Sequence, residues 1–268
     1  MKKRLLTAAV GIPLVVVLLL VRGWAVELAV TLLTLIAQVE CYNALRAAGH
    51  KVFPWGGYAA AVGMFPLSQL TGKMDPLLLV LAAMGLTLTG IVLRSKPSFL
   101  DAATSLYPLY ASLLPMSMIT MMINSHYGRV SGLSLVTMGI VIGFAGDAMA
   151  YFGGRRFGRH LLCPELSPKK TVEGSVFYFA GSILSAQLLR LLIVHGFGHP
   201  MPGVPATLLL GLLGGFAGQI GDLSASLLKR YSGIKDYGSI FPGHGGVMDR
   251  FDSVIFVMIV MYCYTLVL

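Results

Sequence analysis

Apolar runs of about 20 residues recur from one end of this sequence to the other, each long enough to cross a hydrocarbon layer about 30 Å thick. Nothing else constrains the chain as strongly. Hydrophobic residues make up 56% of its 268 positions and charged residues only 12%, with a mean hydropathy of +0.79. A soluble domain of this length carries about twice that charged fraction. The chain therefore reads as an all-α integral membrane protein.

Nine spans are expected, over Leu5–Val21, Trp24–Leu45, Trp55–Leu70, Pro76–Leu93, Ala102–Ile123, Gly132–Gly153, Gly174–Val194, Val204–Leu228 and Phe251–Leu268. The third is short and contains Gly63 and Pro66. The first follows Met1-Lys2-Lys3-Arg4 and is expected to be retained. It is long for a secretory signal, and no small-x-small cleavage site follows it.

Nine spans place the N-terminus and every second loop on one side. That side collects sixteen of the 20 Lys and Arg residues: three at the N-terminus, two each in the second and fourth loops, five in the sixth and four in the eighth. Only Arg22, Lys73, Arg129 and Arg190 fall on or toward the other side. The positive-inside rule makes the rich side cytosolic, with the N-terminus inside and the C-terminus outside. The same rule accounts for the net charge of +9 without nucleic acid as a partner. Cys41, Cys163 and Cys263 are too widely spaced to suggest a disulfide framework or a zinc site.

Seven of the 11 acids lie from Asp147 onward, as do both long cytosolic loops. Residues 1–125 thus read as a transmembrane scaffold of about five helices. Residues 126–268 read as a catalytic region of about four helices with two cytosolic loops.

Asp147 and Asp222 sit inside apolar spans, each preceded by glycine and each seven or eight residues from a basic pair (Arg155-Arg156, Lys229-Arg230). At 1.5 Å per helical residue both lie about 11 Å below the basic rim. Two carboxylates at matched depth suit a shared cation, whereas a lone intramembrane acid also occurs as a packing group. On a continuous helix Asp222, Ser226 and Lys229 stand at i, i+4 and i+7 on one face. The stretch Pro242-Gly243-His244-Gly245-Gly246 is not regular helix, and its glycines let backbone amides approach an anion. Asp249 and Asp252 follow three apart at the start of the last span. Ser167-Pro168-Lys169-Lys170-Thr171 brings two lysines to the membrane face, as point charges for phosphates or simply as positive-inside residues. Carboxylates for a hard cation among Lys, Arg, His and glycine amides point to metal-dependent chemistry on a phosphate-bearing substrate. Glu27 and Glu40 of the second span are less informative; Glu40 lies toward the cytosolic end and reads equally well as a group facing the site or as a helix-packing or snorkelling one. Arg190 and His195 read as interfacial.

The segment from Ser226 to Asp252 resembles the signature of the phosphatidate cytidylyltransferase (CDP-diacylglycerol synthase) family. Its fixed positions are met by Ser226, Lys229, Arg230, Lys235, Asp236, Pro242, His244, Gly245, Gly246, Asp249, Arg250 and Asp252. Gly146-Asp147, Tyr151 to Arg155 and Ser167 to Thr171 are also similar to that family, so the resemblance covers roughly the last 125 residues. Ala225 departs from it, since some members carry glutamate there, and the loop around Cys163 and Leu166 varies mildly.

The resemblance implies transfer of CMP from CTP to phosphatidic acid, giving CDP-diacylglycerol and pyrophosphate. It further implies Mg²⁺, a second potassium-type cation, a homodimer, and a cell (inner) membrane location with the site facing the cytosol. On this basis Asp222 and Asp249 are expected as metal ligands, with Asp147 and Asp252 in support. Lys169, Lys170, Lys229, Lys235, Arg230 and Arg250 are expected on phosphates, together with Ser167, Ser226, Gly245 and Gly246, and His244 as an orienting group. The alternatives are a CTP-dependent polyprenol or dolichol kinase and a cation-coupled transporter. The latter expects ionisable groups at the bilayer midplane, whereas here they gather toward one face.

Overall fold

The computed structural model describes residues 23–71, 75–123, 125–241, 243 and 245–268, together with 11, 13, 17, 18 and 21. The expected first span, Leu5–Val21, falls largely outside the described residues, as do Arg22, Lys73 and His244. Helices occupy the positions of the other eight expected spans. Five of them are long and apolar enough to cross a membrane: α1 (Trp24–Ala47), α4 (Phe99–Ile123), α5 (Gly132–Phe157), α6 (Val172–Gly196) and α7 (Val204–Tyr231). The helices α2 (Trp55–Thr71) and α3 (Pro76–Val92) have 17 residues each. The 18-residue α8 (Met248–Thr265) carries Asp249, Arg250 and Asp252 in its first five positions.

The chain divides into two compact units. The first comprises residues up to Ile123 together with Leu228–Arg250, and the second comprises Asn124–Leu227 and Phe251–Leu268. Residues 228–250 thus belong with the N-terminal helices.

In the first unit, local chemistry marks the helix ends. Gly49, at φ 90°, lets the chain leave α1 while its N–H bonds the Arg46 carbonyl at 2.9 Å. Asp75 caps α3 by accepting from Leu77 N (2.8 Å), with Pro76 at the first helical position. Within α4 the turn Leu109–Leu113 widens to a π-helix just before Pro115, which has no N–H to continue the α ladder. A polar seam joins these helices. Gln38 Nε2 donates to the Pro108 carbonyl (2.7 Å) and to Ser112 (2.9 Å), and the Tyr42 hydroxyl donates to the Ser105 carbonyl (3.2 Å). Gly57 packs where a Cβ would stand 2.7 Å from the Tyr42 hydroxyl. Lipid tails offer helices no hydrophobic incentive to associate, so small residues and interhelical hydrogen bonds hold them together.

The second unit is α5, α6, most of α7 and most of α8, with two short hairpins. One pairs β1 (His126–Tyr127) with β2 (Val130–Ser131), and the other pairs β3 (Leu161–Cys163) with β4 (Ser167–Thr171). Glycines bring the helices close. A Cβ at Gly146 would stand 2.5 Å from the Tyr178 ring, and one at Gly143 2.8 Å from Val254. At Gly153 the Phe177 ring leaves no room for a side chain.

Candidate active site

In the second unit, a cavity of about 440 Å³ is lined by Asp147, Arg155, Lys169, Lys170, Gln219 and Asp222 among others. Asp147 is on α5 and Asp222 on α7, and both face this one space, as their matched depth suggests. Lys170 forms an ion pair with Asp222, the two side chains being 27% and 25% exposed. Asp147 accepts from the Ser253 hydroxyl at 3.0 and 3.2 Å. The Ser253 backbone N–H donates to Asp252 Oδ1 at 2.8 Å. Ser175 donates its hydroxyl to Gln219 across the cavity wall.

The two lysines are placed by the β3–β4 hairpin. Its base is closed by the Val172 N–H on the His160 carbonyl (2.9 Å) and by Glu173. That carboxylate accepts the Arg159 N–H (3.0 Å) and the His160 N–H (3.2 Å), with His160 Nδ1 2.7 Å away. Thr171 then caps α6, accepting from Gly174 N at 3.1 Å. Lys169 is exposed and Lys170 half-buried; both line the cavity, and Lys170 is drawn to Asp222.

In the first unit, Asp249 is the hub. Its Oδ1 accepts from Lys229 Nζ at 2.8 Å, and its Oδ2 accepts from Tyr237 N (2.7 Å) and Gly246 N (2.9 Å). The Lys229 ammonium also lies 5.5 Å from the Tyr237 ring centroid, a cation–π distance. The Asp249 side chain is only 3% exposed. Charge-assisted hydrogen bonds on this scale offset the desolvation of a buried carboxylate. Glu40, reaching in from α1 and itself 5% exposed, accepts the Val247 N–H (3.0 Å) and the Met248 N–H (2.9 Å). The chain between turns sharply, Phe241 N donating to the Gly245 carbonyl at 2.9 Å, with Gly243 and Gly245 at φ 77° and 83°.

A family model described as the cytidylyltransferase family matches residues 2–268. This chain belongs to the cytidylyltransferase family. Among its relatives is a phosphatidate cytidylyltransferase of Bacillus subtilis, 44% identical over 131 residues, which is 49% of this chain and 47% of that protein. A phosphatidate cytidylyltransferase of Staphylococcus epidermidis is 34% identical over 265 residues, 96% of each chain. Phosphatidate cytidylyltransferase 5, chloroplastic, of Arabidopsis thaliana is 30% identical over 290 residues, covering 98% of this chain and 71% of that protein.

Asp147, Asp222, Lys169 and Lys170 meet at the cavity of the second unit, where Asp252 joins Asp147 through Ser253. Lys229, Gly246 and Asp249 meet in the first unit. Ser226 is buried on α7, Ser167 is half-buried at the start of β4, and Arg230, Lys235 and Arg250 are exposed. His244 lies outside the described residues.

One expectation changes. The amide of Gly246 is committed to Asp249 rather than held open for an anion, and the following two amides are committed to Glu40. Gly245 and Gly246 are glycines for want of space. A Cβ at Gly245 would stand 2.6 Å from Asp249 Oδ2, and at Gly246 the Glu40 carboxylate fills the position.

Ser253 and Gln219 were not singled out from the sequence and carry no signal there, whereas Glu40 reads there as either a site-facing or a packing group. Glu40 did carry a signal, being an acid near the end of an apolar span, where charge is costly and retained for a reason. Among the described residues no three His, Cys, Asp or Glu groups form a ready-made metal cage. The donor set nonetheless fits Mg²⁺, which is commonly bound by one or two carboxylates plus substrate phosphates and water.

Proposed function

We propose that this chain transfers CMP from CTP to phosphatidate, giving CDP-diacylglycerol and pyrophosphate for phospholipid synthesis. The observation that carries the reading is the second-unit cavity, where two intramembrane aspartates meet two lysines, in a chain that carries the whole signature from Ser226 to Asp252. In this reaction a phosphatidate oxygen forms a bond to the α-phosphorus of CTP. The α–β bridging bond breaks, and its electrons leave with pyrophosphate. The attacking oxygen is already anionic at neutral pH, so no protein base is required. The work left to the protein is positioning and charge neutralisation.

Lys169, Lys170 and Arg155 line the cavity as cations for phosphate oxygens. Lys229, Arg230, Lys235 and Arg250, with Ser167, Ser226 and His244, are assigned to the remaining phosphate contacts. Asp222 and Asp249 are assigned as Mg²⁺ ligands, with Asp147 and Asp252 supporting them or holding a second, potassium-type cation. When bound, Mg²⁺ supplies positive charge against the triphosphate. Gly245 and Gly246 shape the loop around Asp249.

The same proposal includes nine crossings, an N-terminus in the cytosol, a cell-membrane location with the site facing the cytosol, and a homodimer. The 16-to-4 distribution of Lys and Arg supports the orientation.

Purified protein incubated with phosphatidic acid, Mg²⁺ and CTP labelled at either the α- or the γ-phosphate tests the reading. The expected result is α-label in a lipid product, and γ-label released as pyrophosphate with none in the lipid. Lipid that carries only the γ-label would identify a kinase, and no labelled lipid in several detergents would return attention to transport.

A further inference from the structure

Glu40 is the one acid of the N-terminal helices whose two carboxylate oxygens both serve the signature loop. A glutamate buried at 5% exposure in an apolar helix is costly unless its oxygens are satisfied. Here both are satisfied by consecutive backbone amides, Val247 N at 3.0 Å and Met248 N at 2.9 Å. Neither bond joins two membrane helices in the usual side-chain manner. Both end on the residues immediately before Asp249.

The start of α8 explains why an acid is needed. The first N–H groups of a helix have no acceptor within the helix, and the positive end of its dipole favours an anion. Met248 opens α8, so Glu40 supplies from α1 the cap that the local sequence lacks. Asp249 pins the other side of the same stretch through Gly246 N and Tyr237 N, which leaves its Oδ1 facing Lys229. The loop is therefore held between two carboxylates, one on each flank. Gly238 and Gly246 both lie against Glu40, and a Cβ at Gly238 would stand 2.5 Å from its Oε1.

We propose that Glu40 is a positioning residue that sets the Asp249 carboxylate for the cation and the CTP phosphates. This rests on the assignment of Asp249 as a cation ligand. Replacing the Glu40 carboxylate by an amide keeps one acceptor oxygen and sets an NH2 donor against the second buried N–H, so the loop shifts to find another acceptor. A shift of about 1 Å in a supporting element, or the loss of an outer-shell partner, costs about 10- to 100-fold in activity or metal affinity.

The test compares wild-type, Glu40→Gln and Asp249→Asn enzymes, each as the full chain in detergent. Glu40→Gln is expected to lower kcat about 10- to 100-fold and to raise the half-saturating Mg²⁺ concentration about tenfold. The KM for phosphatidate is expected to stay within about twofold, and the amides of residues 245–249 to exchange faster with deuterium. A residue that only packs helices moves the thermal midpoint and leaves the Mg²⁺ dependence of the folded fraction alone. If Glu40→Gln does not fold, Gly246→Ala takes its place, since its methyl presses on the same carboxylate without removing it, and the same Mg²⁺ shift is expected. Wild-type kcat and Mg²⁺ dependence in the folded variant, beside a crippled Asp249→Asn, overturns the role of Glu40 alone. Wild-type turnover in Asp249→Asn sinks the cation assignment itself, and this role with it.

Discussion

Asp222 and Lys170 form an ion pair at the cavity wall. Each is about one-quarter exposed, so neither is fully removed from water, and their attraction is only partly screened. A pair buried this lightly is open to exchange, and a phosphate entering the cavity can take Lys170 while a cation takes Asp222. On that basis Lys170→Met is expected to lower kcat/KM about 100-fold, equivalent to about 2.7 kcal/mol of transition-state stabilisation. Lys170→Arg, which keeps the charge but not its compact shape, should fall between. Steady-state kinetics with CTP varied at fixed phosphatidate measures both, and an unchanged Lys170→Met enzyme removes this residue from the site. Asp222→Asn and Asp147→Asn are expected to lose most Mg²⁺-dependent turnover, measured by formation of CDP-lipid. Unchanged turnover in either would remove that aspartate.

Between elements, the contact of α5 with α6 rests on surfaces that meet without side chains on one side. Phe177 lies against Gly153 and stacks on Phe157 with ring centroids 5.4 Å apart and planes 4° apart. A methyl at Gly153 must displace that ring, and overpacking of this kind costs about 1–3 kcal/mol. Gly153→Ala should therefore lower the thermal midpoint of the solubilised protein, while Gly153→Ala combined with Phe177→Leu should recover most of the loss. Failure of the second change to compensate would place the cost elsewhere in the helix pair. The consequence reaches function because the β3–β4 hairpin, with Lys169 and Lys170, is strung between these two helices.

For the whole molecule, the distribution of basic residues makes orientation testable without any assay of activity. In a variant retaining Cys163 alone, the proposed cytosolic placement of the β3–β4 hairpin predicts that a membrane-impermeant maleimide labels only after permeabilisation. A C-terminal epitope tag is expected to be reached by antibody on intact cells. Labelling of Cys163 from outside would invert the topology and move the cavity away from CTP.

Most of the helices could be read directly. Hydrophobic runs of membrane length leave the backbone few options in lipid, so α1 through α8 fall where the apolar segments do. Pro66 lies inside α2 without ending it, a tolerance common where neighbouring helices can satisfy the freed backbone groups. The signature, too, is local in sequence, and with it came the family, Asp249 and the Lys229-Arg230 pair, while Asp147, Asp222 and the Lys169-Lys170 pair stood out from their own local context. The partners of those residues were not legible. That Asp147 bonds Ser253 more than 100 positions away, or that Glu40 caps a helix begun by Met248, depends on which helix faces which. Hydropathy is blind to this, because every face of a membrane helix may be apolar and the code for packing resides in glycines and single polar atoms. The sequence by itself determined that the chain belongs in a membrane and where its apolar helices fall. Only the tertiary structure decided that Gly246 serves Asp249 rather than an anion, and that an acid from the N-terminal half holds the loop, since both follow from contacts between segments remote in the chain.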